Sequence, residues 1–250
     1  MIVVFGHSHL EALHKAASDR GSNEFRFLAL SEANPFTNPL VLIQKDGSQI
    51  ANPAQLMRLD DLGAFDEGID LISVIGGNAH NVLGLLRHSR PFDIVPPKAG
   101  NDEGDGLPPA TELIPYEMMI RHFEQRNGRY TEFLRLLKPR VKGRLWHLES
   151  PPPCPEEEFI RSNIDRYFKE RLAAGITPIA IRYRLWRCHS DMIRRACNRI
   201  GITFIPAPPA SMDESGFLRR EGWGNATHGN AWYGSQALDQ IESAVKGARR

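Results

Sequence analysis

The feature that most constrains this chain is the alternation of short, uninterrupted apolar runs with stretches of helical periodicity. Ile2-Val3-Val4-Phe5 has no polar residue in it and is β-branched in three of its four positions. Such a run suits a strand buried on both faces, and a strand buried on both faces needs helices on both sides of its sheet. Gly6 breaks the run. Leu10, Leu13 and Ala17 then recur at helical spacing, and Gly21 closes that helix. The same alternation predicts strands at Glu24 to Leu30, Asp70 to Ile75, Arg144 to Leu148, Ile176 to Ile181 and Ile202 to Ile205. Helices are expected on Tyr116, Met119, Ile120 and Phe123, on Tyr130, Phe133, Leu134 and Leu137, and on Ile160, Ile164, Phe168 and Leu172. Two more follow from Trp186, Ile193, Cys197 and Ile200 and from Tyr233, Ala237, Ile241 and Val245. Ser31 to Asp61 reads as irregular, with a small hairpin arm near Val41 to Gln44, and Pro96 to Pro109 as a polar excursion or lid. The expected architecture is an α/β fold: a three-layer α/β/α sandwich with a mostly parallel central sheet, one domain over residues 1–250.

Composition narrows the function classes. Lys and Arg total 31 against 30 Asp and Glu, a net charge of +1, and 41% of residues are hydrophobic. That balance argues against a nucleic-acid binder driven by overall charge and against a disordered chain. No apolar run approaches the length of a membrane span, and the start, Met1 to Gly6, reads as a strand rather than a signal peptide. Three cysteines, Cys154, Cys188 and Cys197, form no close pair, so neither a disulfide framework nor a structural zinc site is expected. The expected compartment is reducing, most simply the cytoplasm.

In open parallel sheets, ligands bind beyond the carboxyl ends of the strands. Three polar clusters fall at such places: Gly6-His7-Ser8-His9, Gly76-Gly77-Asn78-Ala79-His80-Asn81, and Asn225-Ala226-Thr227-His228-Gly229-Asn230. Ser8 sits at a strand-to-helix turn, where its hydroxyl is a candidate nucleophile and its N–H a candidate oxyanion donor; taken alone, the segment favours a plain N-cap. Asn78 follows two glycines and is a candidate oxyanion donor or a turn residue. His228, in a Gly-flanked polar loop, is a candidate general base.

In order and position these blocks resemble the SGNH, or GDSL-like, hydrolases. That resemblance implies a flavodoxin-like sandwich and a serine esterase site that needs no cofactor or metal. Ser8 is then the nucleophile and His228 the base. The oxyanion hole uses the Ser8 N–H, the Asn78 side chain and a glycine after the second strand, for which Gly47 is the candidate. The chain departs from the pattern at His7 and Ala79, where the family has Asp, and at Asn225, where it has the triad acid. An amide orients the imidazole without supplying charge. The site is thus a Ser-His dyad, or one that recruits another carboxylate (Asp213 and Glu221 are nearest in sequence), or an inactive one. The expected substrate is a small-molecule or carbohydrate ester, such as an O-acetyl sugar, with no nucleic-acid or membrane partner. Two alternatives stand: a degenerate SGNH-fold binding protein, and a metal hydrolase using His7, His9, His80 and His228. Two further features stay open. Arg182, Arg184, Arg187, Arg194, Arg195 and Arg199 form either a solvated helix face or an anion-binding surface. Trp223, Trp232 and Tyr233 are candidate walls of a sugar or acyl pocket, with Trp232 and Tyr233 alternatively core contacts of the last helix.

Overall fold

The computed structural model describes residues 1–30, 38–95 and 111–249. β1 (Ile2–Gly6) leads into α1 (Leu10–Asp19), then β2 (Phe25–Ala29), a hairpin of β3 (Val41–Ile43) and β4 (Gln49–Ala51), and α2 (Pro53–Asp60). β5 (Asp70–Val74), α3 (Ala79–Gly84), β6 (Phe92–Val95), β7 (Glu112–Pro115) and α4 (Tyr116–Leu137) follow. The last part runs β8 (Arg144–Leu148), α5 (Glu157–Ser162), α6 (Arg166–Lys169), α7 (Ile179–Ile200), β9 (Thr203–Ile205) and α8 (Ala231–Gly247).

The main sheet has the order β2-β1-β5-β8-β9, and every neighbouring pair is parallel. Strand alternation sorts the core into two halves. Val3, Phe5, Leu71 and Leu145 point to one face, where α4 and α7 cover them. Ile2, Val4, Ile72 and Trp146 point to the other, against α1 and α8. This is the expected three-layer α/β/α sandwich. The chain leaves β1 for β2 on one side and returns to β5 on the other. At such a switch point the loops after the two strands diverge, and a crevice opens between them.

One contact ties a third segment to that crevice. The Cα of Gly234, in the first turn of α8, lies so close to α1 that a Cβ there would overlap the Ala12 backbone. Glycine lets the two helices touch, and this places the loop before α8 beside the loop before α1.

Several local expectations need correction. Ile176 to Ile181 is not a strand: Ile176 makes only an isolated bridge to Leu86, and α7 starts at Ile179 directly after Pro178. Proline pre-sets the first turn of a helix and lends no N–H to a ladder. The helix drawn through Ile160 to Leu172 is broken into α5, α6 and a 3-10 turn at Leu172–Ala174. Asp165 restarts the chain there, because its side chain accepts the Tyr167 N–H as an N-cap. The two helical faces between Tyr116 and Leu137 belong to one continuous helix. Within the stretch read as irregular, Asn52 caps α2 through the Ala54 N–H. The excursion expected at Pro96 to Pro109 lies outside the described residues. All three cysteines are free and buried. No helix among the described residues is long and apolar enough to cross a membrane.

Candidate active site

Ser8 stands between β1 and α1, on the rim of the crevice, and is exposed. It is not an N-cap. α1 carries no side-chain cap bond, and the Ser8 hydroxyl points instead across the crevice. Its Oγ lies 2.6 Å from Nε2 of His228, a residue 220 positions away in sequence. The other ring nitrogen, Nδ1, lies 3.0 Å from Asn225 Oδ1 and 2.9 Å from Thr227 Oγ1. Asn225 Oδ1 also accepts the backbone N–H groups of Thr227 and His228, at 2.9 and 3.0 Å. Two N–H donors on one side-chain atom require an oxygen there, which settles the orientation of the amide. The imidazole therefore carries its proton on Nδ1, facing Asn225. Its bare Nε2 faces the Ser8 O–H.

Among the described residues, no carboxylate stands beside His228 Nδ1, whose partners are Asn225 and Thr227. Asp213 Oδ1 accepts the N–H groups of Ser215 and Phe217 inside its own turn. Glu221 pairs with Arg219 at 2.6 Å. Burial depresses the His228 pKa below its usual value, and the fields of Asp165 and Glu11 only partly oppose this. The segment carrying Asp165 packs on the histidine loop, where the Ala226 N–H donates to the Asn163 carbonyl. Neither field-exerting residue was foreseen, because neither is near His228 in sequence.

Asn78 begins α3 on the opposite wall, after the Gly76-Gly77 turn. Gly76 adopts a φ of +72°, a conformation that side-chained residues rarely adopt. Asn78 Oδ1 accepts a hydrogen bond from Asn81 Nδ2 at 2.7 Å. The Asn78 amide oxygen is thus occupied and its NH2 is left for a ligand. Asn81 follows at i+3, the spacing that brings side chains together on a helix; with the start of α3 known, that spacing was a usable signal. Ser8 and Asn78 line one cleft of about 370 Å³ with His7, His9 and Tyr130.

Gly47 is not part of it. It sits at the exposed tip of the β3–β4 hairpin with a φ of +82°, and its N–H donates to the Gln44 carbonyl at 3.0 Å. No glycine lies between Gly21 and Gly47, so no nearer one can replace it.

Beneath the cleft lies a group of buried histidines. The ring of His9 is 4.8 Å from that of His228, and the rings of His80 and His189 are 5.4 Å apart. Burial lowers the pKa of all three neighbours, His9, His80 and His189, the last to about 4. These neutral rings pack around the Gly76-Gly77 turn; a Cβ on Gly77 would come within 2.6 Å of His9 Cδ2. Among the described residues, no three His, Cys, Asp or Glu side chains converge in a way that holds a metal.

The two open features also resolve. Arg182 is buried and donates to the carbonyls of Thr177, Cys154 and Pro155. Arg184 pairs with Asp93, Arg195 with Glu117 and Asp191, and Arg199 with Glu124. Arg187 and Arg194 lie over the rings of Trp186 and Phe204. This cluster is ion-paired and stacked rather than an open anion surface. Tyr233 is core, Trp223 packs at a tilt against Phe159 and donates its indole N–H to the Leu218 carbonyl, and Trp232 lies under Arg219.

The sequence matches no family model and no curated protein. The structure resembles a GDSL-like lipase from Bacteroides thetaiotaomicron, with a TM-score of 0.51, 12% identity, and coverage of 99% of this chain and 88% of that one. An extracellular lipase from Streptomyces rimosus gives a TM-score of 0.51 at 12% identity, over 97% of this chain and 98% of that one. The periplasmic domain of a lipopolysaccharide acetyltransferase from Salmonella ser. Paratyphi A gives 0.50 at 12% identity, over 98% and 83%. The chain shares its fold with these structures along nearly its whole length.

Proposed function

We propose that this protein is an esterase of the SGNH type, acting through Ser8 and His228 on a small acyl ester such as an O-acetyl group on a carbohydrate. The observation that carries the reading is the 2.6 Å Ser8 Oγ–His228 Nε2 contact, made at the switch point of the sheet between residues from opposite ends of the chain. Ser8 Oγ attacks the acyl carbonyl while His228 Nε2 takes its proton. The tetrahedral oxyanion is held by the Ser8 N–H and the Asn78 amide. Collapse breaks the bond to the alcohol, which leaves with the proton from the imidazolium, and the acyl group stays on Ser8. Water, deprotonated by His228, then opens the acyl-enzyme and regenerates the serine. Asn225 keeps the imidazole in the required tautomer but adds no charge, so the enzyme is slow for its class. Because the neutral imidazole is the base and its pKa is depressed, the acid limb of the kcat/KM profile falls below pH 6.5.

The uncharged Asn225 favours one second reading, a binding protein that keeps the pocket without turnover. A fluorophosphonate probe separates the two. We expect it to label the parent protein at Ser8 and to leave Ser8→Ala unlabelled, with aryl-acetate hydrolysis falling by at least about 10³-fold in that variant. An unlabelled parent with the same ester background as Ser8→Ala supports the binding protein instead.

A further inference from the structure

The wall of the cleft facing Ser8 is supplied by the middle of α4: Arg126, Asn127, Arg129 and Tyr130. Among the described residues, no Asp or Glu lines the cleft. Its charged side chains are two arginines, and its histidines, His7 and His9, offer no negative charge. Arg129 is committed to Tyr130, lying over its ring at 4.7 Å and donating to its hydroxyl at 2.7 Å. Among the arginines of the two long helices, Arg121 and Arg126 are the two exposed ones that make no hydrogen bond, ion pair or ring contact with any described residue; of these, Arg126 lines the cleft, and the field of Arg121 falls on Glu117. The effect of Arg126 on His122, one turn earlier on α4, is repulsive: burial chiefly, and then the Arg126 charge, lowers the pKa of that histidine. A long cation kept at the rim of a cleft, with no carboxylate of the described residues to neutralise it, is a site for an anion from outside.

The floor of the same cleft holds a second uncommitted polar atom. Asn127 is fully buried; its Nδ2 donates to the Phe123 carbonyl at 3.1 Å, and its Oδ1 has no partner. That oxygen faces the Gly76 turn, where a Cβ would come within 3.1 Å of it. Burying an acceptor without a donor is costly, so the site is completed by a donor brought in with a ligand or by water.

We propose that the ester substrate carries an anionic group, a carboxylate or a phosphate, on its alcohol portion, and that Arg126 binds it. The proposal rests on the esterase reading above and names the substrate class of that site. An acetylated acidic sugar or a sugar phosphate ester has this chemistry.

The test uses one acyl group and three alcohols: methyl 4-acetoxybenzoate, 4-acetoxybenzoate and 4-acetoxyphenyl phosphate. Within each protein variant the readout is the ratio of kcat/KM for an anionic ester to that for the neutral one, which cancels changes common to both. We expect the parent to favour the anions by at least tenfold at low salt, mainly through KM, with the advantage shrinking as salt rises. Arg126→Ala should lower the ratio about tenfold, Arg126→Lys should keep part of it, and Arg126→Glu should invert it. Arg135→Ala, which removes an arginine already paired with Glu132 on the same helix, should leave the ratio alone. The two anionic arms tell a carboxylate site from a phosphate site. A ratio near one in the parent, or one unmoved by Arg126→Ala, overturns the proposal while leaving the esterase intact. If no ester is turned over, the esterase reading falls, and the anion site is read by calorimetric titration of the parent with 4-hydroxybenzoate and 4-hydroxyphenyl phosphate. Binding that weakens at least tenfold in Arg126→Ala upholds the site; no binding, or binding indifferent to Arg126, overturns it.

Discussion

The two ends of β5 treat buried polar groups in opposite ways. At its start, Asp70 is almost fully buried and every need of its carboxylate is met. Arg144 and the Trp146 indole N–H each reach Oδ1 at 3.0 Å, and Arg249 reaches Oδ2 at 2.6 Å. Burial alone would raise the Asp70 pKa; these donors outweigh it and hold the carboxyl below its usual value. Past its other end, the buried His9 and His189 rings have only the backbone of Gly77 and Gly76 to turn to, Asn127 keeps one oxygen without a partner, and Ser8 stays exposed. A carboxylate that is saturated with donors fixes structure. Polar groups left short of partners at a sheet's carboxyl edge are poised to meet a ligand or solvent. The amino edge is thus saturated with partners, and the carboxyl edge is left open to a ligand or to solvent.

The sharpest way to break this contrast is to cut one group from each edge. Asn78→Ala should cost about 10²- to 10³-fold in kcat on an aryl acetate with little change in Tm. Asp70→Ala should do the reverse. It strands two guanidinium groups and an indole N–H, at a cost of about 3 kcal/mol and roughly 10 °C in Tm, while the folded protein keeps its turnover. Calorimetry and initial rates on the same two samples decide the matter; a large loss of activity in Asp70→Ala would erase the division of labour.

A smaller effect is expected from restoring charge. Asn225→Asp places a carboxylate 3.0 Å from His228 Nδ1, on the side remote from Ser8, where it stabilises the imidazolium formed during attack. The exchange in the opposite direction costs about 10⁴-fold in a serine protease. Here a gain of about 10- to 100-fold is expected, because the amide already holds the tautomer. Rates measured across pH, alone and combined with Ser8→Ala, check it: the gain must vanish in the double variant.

The smallest effect is on acid stability. Unfolded, the imidazoles of His147 and His189 titrate near 6.5; folded, burial holds them near 3 and 4. Between those values the unfolded chain binds more protons, so the folded state has its full stability above about pH 6.5 and loses it as pH falls. Each such group contributes up to about 1.4 kcal/mol per pH unit. Replacing His189 with Phe should flatten the fall in urea midpoint between pH 6.5 and 5. An unchanged slope would mean that His189 gains partners, or water, when protonated.

Sequence reading reached much of this because some signals are local. Ile2 to Phe5 could only be an interior strand, and Gly76-Gly77 could only be a turn. Ser8, Asn78, Asn225 and His228 fell at strand ends and before a helix, where a doubly wound sheet puts its ligands. The local errors came where one residue overrode a periodicity. Pro178 turned a candidate strand into the start of α7, and Asp165 recapped the chain and split a helix.

What the sequence alone determined, then, is the alternation of elements, the parallel sheet that the alternation demands, and the polar blocks at its edge. These depend on residue order and side-chain period. Only the tertiary structure decided which groups meet. It took Gly47 away to a hairpin tip and closed Asp213 and Glu221 into contacts of their own. It turned Asn225 toward His228, and it brought Arg126 of α4 to the cleft of Ser8, more than a hundred residues away. Such meetings depend on how two helix layers close over a twisted sheet. A few ångströms of packing, such as the close approach of Gly234 to Ala12, fix them, and no local pattern of residues encodes that distance.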